Sequence, residues 1–273
     1  MTWTAPRHAY FVCATPRSGS TLVCEALART GVAGRPAEYF EALRATDVPR
    51  RPHEYFDLPD AELEALLPRV EREPDPALAG ARSYLDYLAW TRDRGTTHNG
   101  VFGAKLMFGY LGEFAGRLRE TGAFAGETDL DVLESAFPGA RYVRVVRLDK
   151  VSQAVSLWTA IQTQAWRHGA PEAGAEPVYH RRAIAHLVRY LTEHEDHWST
   201  LFARARVRPL TITYEDLVAA WEPTMRRVLA HLRLPGADGV EPPDPPLRRQ
   251  ADERSRAWVE RFRAEGRPAQ ARR

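Results

Sequence analysis

Tyr10-Phe11-Val12-Cys13-Ala14-Thr15-Pro16-Arg17-Ser18-Gly19-Ser20-Thr21 is the stretch that decides the fold. Its first six residues are a short, nearly unbroken apolar run that stops at a Pro/Ser/Gly turn, the pattern of a strand buried on both faces of a parallel sheet. From Thr21 to Thr30, Leu22, Ala26, Leu27 and Ala28 suit a helix, and Gly31 suits its end. The unit is therefore strand, polar loop, helix. A loop in that position is a natural anion site, because unpaired N–H groups and the helix dipole converge on it. Gly19 lets backbone approach a phosphate closely, Ser18, Ser20 and Thr21 bring hydroxyls, and Arg17 brings a forked cation. A plain polar turn with capping hydroxyls remains open for these residues. A Walker loop does not, since the first Gly and the Lys of its pattern are both missing, and a cysteine-phosphatase loop fails because Gly19 stands six residues after Cys13.

Outward from this unit the pattern repeats. Val101 to Phe108, Ala140 to Arg147 and Pro209 to Tyr214 read as further strands. Helical spacing covers Ala61 to Val70, Ala81 to Arg92, Val151 to Trp166, His180 to Arg204, and Glu215 towards Leu232. Residues 32–60 are rich in Pro and aromatics and read as an irregular, site-forming stretch, while 112–137 is polar and partly helical. Strands alternating with helices predict an α/β fold, a P-loop-like parallel sheet flanked by helices.

The 273 residues fit one domain over 1–273, with a charged C-terminal segment at about 247–273. A net charge of +2 implies no bulk attraction to nucleic acid or membrane. Only Lys105 and Lys150 among the 38 basic Lys and Arg residues are lysines, which makes each worth locating. Two cysteines in apolar surroundings, with no signal-like N-terminus and no apolar span of about 18 residues, lead us to expect a cytoplasmic protein without a membrane span. Arg147 at a strand end, followed by Ser152 and Ser156 four apart on one helix face, suits a second phosphate. A surface Arg with two helix-surface serines is the plainer alternative.

Together these motifs resemble PAPS-dependent sulfotransferases: Thr15 to Thr21 resembles their 5′-phosphosulfate loop, and Arg147 to Ser156 their 3′-phosphate motif. Gly31-Val-Ala-Gly-Arg-Pro-Ala-Glu38-Tyr-Phe40, Gly103-Ala-Lys-Leu-Met107, Val151-Ser-Gln-Ala-Val-Ser-Leu-Trp158 and Arg249-Gln-Ala-Asp-Glu-Arg-Ser255 resemble the bacterial Stf0 family over almost the whole chain. The resemblance implies PAPS as donor, no metal, a homodimer, and a carbohydrate-like, trehalose-like acceptor. It makes Glu38 the base for the acceptor hydroxyl, with Tyr39 and Phe40 as its apolar wall. It implies that Pro16, Arg17, Ser18, Gly19, Ser20 and Thr21 hold the donor with Arg147, Ser152 and Ser156, that Arg17 also meets charge developing on the leaving phosphate, and that Arg249 and Gln250 close over the nucleotide. Lys105, on an otherwise apolar strand, either faces the acceptor or sulfuryl group or forms a structural ion pair.

The acceptor side departs from the family pattern. Pro16 replaces a glutamine, Arg35 replaces a glutamate, and Tyr55 and Phe108 stand at tryptophan positions. Losing an amide and inverting a charge alters hydrogen bonding to sugar hydroxyls, so the acceptor is expected to be a carbohydrate or glycosylated metabolite, not specifically trehalose. His194-Glu195-Asp196-His197 is one residue short of a zinc H-E-x-x-H motif and reads as a solvated helix face. Two other classes stay open: an ATP-dependent P-loop-like kinase of small molecules, and a non-catalytic nucleotide-binding protein.

Overall fold

In the computed structural model, which describes residues 3–57, 60–166, 176–237, 239–245 and 253–266, the opening strand β1 (His8–Ala14) lies inside a parallel sheet. Its partners are β2 (Val101–Met107), β3 (Arg141–Val146) and β4 (Leu210–Thr213), in the order β2-β1-β3-β4 among the described residues. Tyr10 is registered with Gly103 on one side and Arg141 on the other. Burial of β1 from Ala9 to Ala14 explains its unbroken apolar run, since both faces are covered. The chain leaves β1 for β2 on one side and later crosses to β3 on the other, so the strand order reverses at β1. A crevice at the carboxyl ends of the strands is the expected ligand position in such a sheet.

The flanking helices are α1 (Ser20–Arg29), α2 (Ala61–Leu66), α3 (Pro76–Ala79), α4 (Tyr84–Gly95), α5 (Phe108–Glu120), α6 (Asp129–Ala136), α7 (Lys150–Thr163), α8 (Arg181–Arg204), α9 (Tyr214–Ala219), α10 (Trp221–Leu232) and α11 (Glu253–Glu265). Several boundaries differ from the expected ones: α4 is shifted to Tyr84–Gly95, α7 ends at Thr163 and not Trp166, and three others stand out. α2 stops at Leu66 and not Val70, because Pro68 disfavours the helical conformation in the residue before it. Phe108 opens α5 where it was expected to end a strand. The helix expected from Glu215 to Leu232 breaks at Ala220, since Pro223 lacks an N–H and its ring would strike the carbonyl of Ala219 in a continuous helix.

The chain divides into two compact units. The first (Met1–Arg50, Arg72–Leu148, Glu193–Pro246) contains the sheet. Its core is aromatic, with Phe11 edge-on to Phe137 at 5.2 Å and Phe102 stacked on Phe137 at 5.4 Å. The second (Arg51–Glu71, Asp149–Thr192, Leu247–Arg273) buries Trp158 and Ile161 of α7 with Ala183, Ile184, Leu187 and Leu191 of α8. The i, i+1, i+4, i+8 spacing of those α8 residues is the apolar stripe that made the helix readable. Among the described residues no helix is long and apolar enough to cross a membrane.

Candidate active site

The loop leaving β1 turns through two left-handed residues, Arg17 at φ 63° and Gly19 at φ 92°. Gly19 is also the N-cap of α1 and offers no side chain to the first-turn N–H groups. It is required twice over: its φ is strained for other residues, and a Cβ there would lie 2.8 Å from Cδ2 of Tyr214. Ser18 is fully buried, and its Oγ has no hydrogen-bond partner among the described residues. Thr15 and Ser20 are buried beside it, and Pro16, Arg17 and Thr21 are half-buried.

Glu38 reaches this loop through backbone pairing. β2 is an edge strand, and Ala37 forms a single parallel bridge to Ala104 with the Lys105 N–H donating to Ala37 O at 2.9 Å. The approach is prepared by Gly34, at φ 67°, where a Cβ would be 2.7 Å from the Gly103 nitrogen. Glu38 therefore stands beside Lys105. The Lys105 ammonium contacts Glu38 Oε1 at 2.6 Å and donates to the Thr21 hydroxyl at 3.0 Å. Burial pulls the proton affinity of Lys105 down, but Glu38, with Cys24 and Glu41, outweighs it, and the net shift is upward. The remaining carboxylate oxygen, Oε2, accepts from the Tyr110 hydroxyl at 3.3 Å.

Arg147, just past β3, lies in the same unit. Its Nη1 donates to Arg17 O at 3.4 Å, and its guanidinium lies 4.5 Å from the centre of the Tyr214 ring. Tyr214 thus supports both the glycine of the first motif and the arginine of the second. The carboxyl-terminal part of α8 closes the base of the loop: Trp198 Nε1 donates to Ala14 O at 3.1 Å, and the Thr15 hydroxyl to Glu195 Oε1 at 3.3 Å. Phe108 packs at 5.2 Å from both His194 and His197. The expected solvated face at 194–197 is thus half correct: Asp196 and His197 are exposed, while His194 and Glu195 are half-buried. Burial, then Arg50 and His197, push the His194 imidazole down to about 4. No group of three or more His, Cys, Asp or Glu suited to a metal ion occurs among the described residues.

Other expected site residues are placed differently from one another. Arg35 Nη1 lies 3.4 Å from each of the Arg94 and Thr96 carbonyls at the end of α4, a favourable seat for a cation. The Tyr39 hydroxyl donates to Arg35 O at 2.6 Å. Phe40 belongs to the core, 2% exposed and stacked 3.9 Å from Phe114. In the second unit, Tyr55 packs on Trp166 and Tyr190 and accepts through its carbonyl from His186. Ser152, also there, donates its hydroxyl to the Asp149 N-cap of α7 at 2.6 Å, and Ser156 is half-buried on that helix. Arg249 and Gln250 lie outside the described residues. Tyr110 and Trp198 carry no signal in the sequence, and Glu195 reads there only as part of a solvated helix face.

Residues 9–265 match the family model described as Stf0 sulphotransferase. The chain is 38% identical to a trehalose 2-sulfotransferase of Mycobacterium tuberculosis, covering 94% of each chain. It is likewise 38% identical to a trehalose 2-sulfotransferase of Mycolicibacterium smegmatis, covering 93% of this chain and 94% of that one.

Proposed function

We propose that this chain, which belongs to the Stf0 sulphotransferase family, uses PAPS as donor and Glu38 as general base to sulfate a hydroxyl of a carbohydrate or glycosylated small metabolite. Sulfotransferase activity follows from the family; donor, base and acceptor are our assignments. One observation carries them: the Lys105 ammonium spans the carboxylate of Glu38 and the Thr21 hydroxyl of the anion loop. A proton acceptor and an anion cradle are thus held on one cation.

The loop suits a phosphosulfate. Among the described residues its buried Ser18 hydroxyl has no hydrogen-bond partner, which ordinarily costs about 1–3 kcal/mol, and α1 opens without a side-chain cap. PAPS supplies a sulfuryl group whose S–O bond to the PAP phosphate breaks as the acceptor oxygen bonds to sulfur. Glu38 takes the hydroxyl proton. Lys105 keeps that carboxylate oriented, and Arg17 offsets charge on the departing phosphate. Pro16, Ser18, Gly19, Ser20 and Thr21 complete the 5′ cradle. Arg147 is assigned to the 3′-phosphate from its placement at Arg17 O, and Ser152, Ser156, Arg249 and Gln250 from their motifs alone. We further assign residues 1–273 to one sulfotransferase domain, acting as a homodimer in a reducing cytoplasm.

Both named relatives sulfate trehalose by name. Here Pro16 and Arg35 depart from the family pattern, so we assign a carbohydrate or glycosylated small metabolite as acceptor, without restricting it to trehalose. Tyr39 and Tyr55 are assigned to its contacts with Arg35, and Phe40 supports Tyr39 from the core. The test is thermal melting with PAP and with ATP–magnesium, since a ligand of the native state raises Tm. A rise with PAP alone supports the donor; a rise with ATP–magnesium alone overturns it in favour of a kinase. Labelled PAPS offered with trehalose, other glycosides and phenols then fixes the acceptor.

A further inference from the structure

Each oxygen of the Glu38 carboxylate has a different partner. Oε1 is held at 2.6 Å by a buried cation, whereas among the described residues Oε2 meets only the longer 3.3 Å contact from Tyr110. A carboxylate oxygen accepts more than one hydrogen bond, so Oε2 has capacity left for an incoming hydroxyl. Tyr110 is 8% exposed, and its hydroxyl has a second acceptor in reach, Lys105 O at 3.1 Å. A phenol has one hydrogen, and here two acceptors compete for it. A charged acceptor draws a phenol hydrogen more strongly than a neutral one, so ionised Glu38 competes for it against the shorter contact to Lys105 O. Once Oε2 holds a proton, Lys105 O takes that bond and the buried hydroxyl stays satisfied.

We propose that Tyr110 is a positioning residue for the base, donating to ionised Glu38 and swinging to the Lys105 carbonyl when Glu38 is protonated. This rests on the assignment of Glu38 as base. Tyr110 keeps Oε2 aimed and favours the ionised carboxylate, and the swing limits the cost of the proton's arrival.

The surrounding groups leave this device legible in a pH profile. Lys105 faces Glu38 from β2, Cys24 from α1 and Tyr110 from α5, with Glu41 in the same loop as Glu38. Burial pushes the Cys24 thiol up to about 12, and burial with Glu38 and Glu41 raises the Tyr110 phenol, so both stay neutral through the assay range. Lys105 stays cationic. Glu41 is the other carboxylate in this set, and Glu41→Gln serves as its control.

The experiment measures kcat/KM against pH for wild type, Tyr110→Phe and a protein with 3,5-difluorotyrosine at 110, a stronger donor. Tyr110→Phe is expected to move the acid limb upward by about 0.5–1 pH unit and lower kcat about 3- to 10-fold, with PAP affinity unchanged. Difluorotyrosine is expected to move the limb downward. The Glu41→Gln background is expected to retain both shifts. A Tyr110→Phe protein with lower Tm but an unmoved limb overturns the proposal, as does a difluorotyrosine protein without the opposite shift; the latter decides alone if Tyr110→Phe fails to fold. Glu38→Gln separates the two levels: near-normal turnover removes the base itself, whereas an inactive Glu38→Gln with an unmoved Tyr110→Phe limb removes only Tyr110.

Discussion

Lys105 concentrates the chemistry of single residues, because one ammonium serves both Glu38 and Thr21 with 8% of its side chain exposed. Lys105→Met is expected to cost about 1–3 kcal/mol by leaving Glu38 without its cation, and to reduce kcat at least about 100-fold. Lys105→Met with Glu38→Gln is expected to regain stability but not turnover, which urea unfolding and a labelled-PAPS assay would show. Gly19→Ala meets two obstacles, the left-handed φ and the Tyr214 ring. It is expected to weaken PAP binding about 10-fold and lower stability by about 1–2 kcal/mol, measured by calorimetry. Both residues were visible in the sequence, Gly19 by its place between strand and helix, Lys105 by its rarity. Their partners were not. Nothing local distinguishes Tyr110, Glu195 or Trp198 from other helix residues, because their roles arise from pairings distant in sequence, such as Trp198 with Ala14.

Among the elements, α7 and α11 of the second unit are joined by one carboxylate. Asp149 caps α7 by accepting from the Ser152 N–H at 3.0 Å, and it also accepts from Arg263 of α11 at 2.8 Å. Burial works to raise its proton affinity, but the bonds from Ser152 and Arg263 outweigh that and hold it low. Asp149→Ala is expected to cost about 1 kcal/mol through the cap. It is also expected to raise amide exchange in both helices, whereas Arg263→Ala should do so mainly in α11. Element types were readable wherever a period was strong: the buried run of β1 and the stripe of α8. Some ends follow from single residues that the surrounding period hides, as Pro68 ends α2 and Pro223 separates α9 from α10. The single Ala37 bridge was beyond sequence, because a backbone hydrogen bond leaves no mark on side-chain choice.

For the whole molecule, acid is the direction of weakness predicted from the first unit. His194 is pushed from 6.5 to about 4, so the unfolded chain binds its proton first. Its contribution is present above about pH 6.5 and is lost as pH falls towards about 4. At full value this is on the order of 2–3 kcal/mol, reduced by its partial exposure. Lys105 acts oppositely: raised above its usual 10.5, it contributes fully below that pH and is lost as pH rises beyond its folded value. Urea midpoints across pH are expected to fall between 6.5 and 4 in wild type and to fall less in His194→Gln. An equal decline in both would remove His194 as the cause.

The bridge from Ala37 to Ala104 also bears on how such an enzyme diversifies. Its bond runs from the Lys105 N–H to a backbone carbonyl, and a carbonyl is indifferent to the side chain beside it. Residues around Glu38 are thereby free to drift while Glu38 keeps its address on the sheet. A lineage can exchange one acceptor for another by rewriting the loop, without moving the carboxylate that the loop delivers.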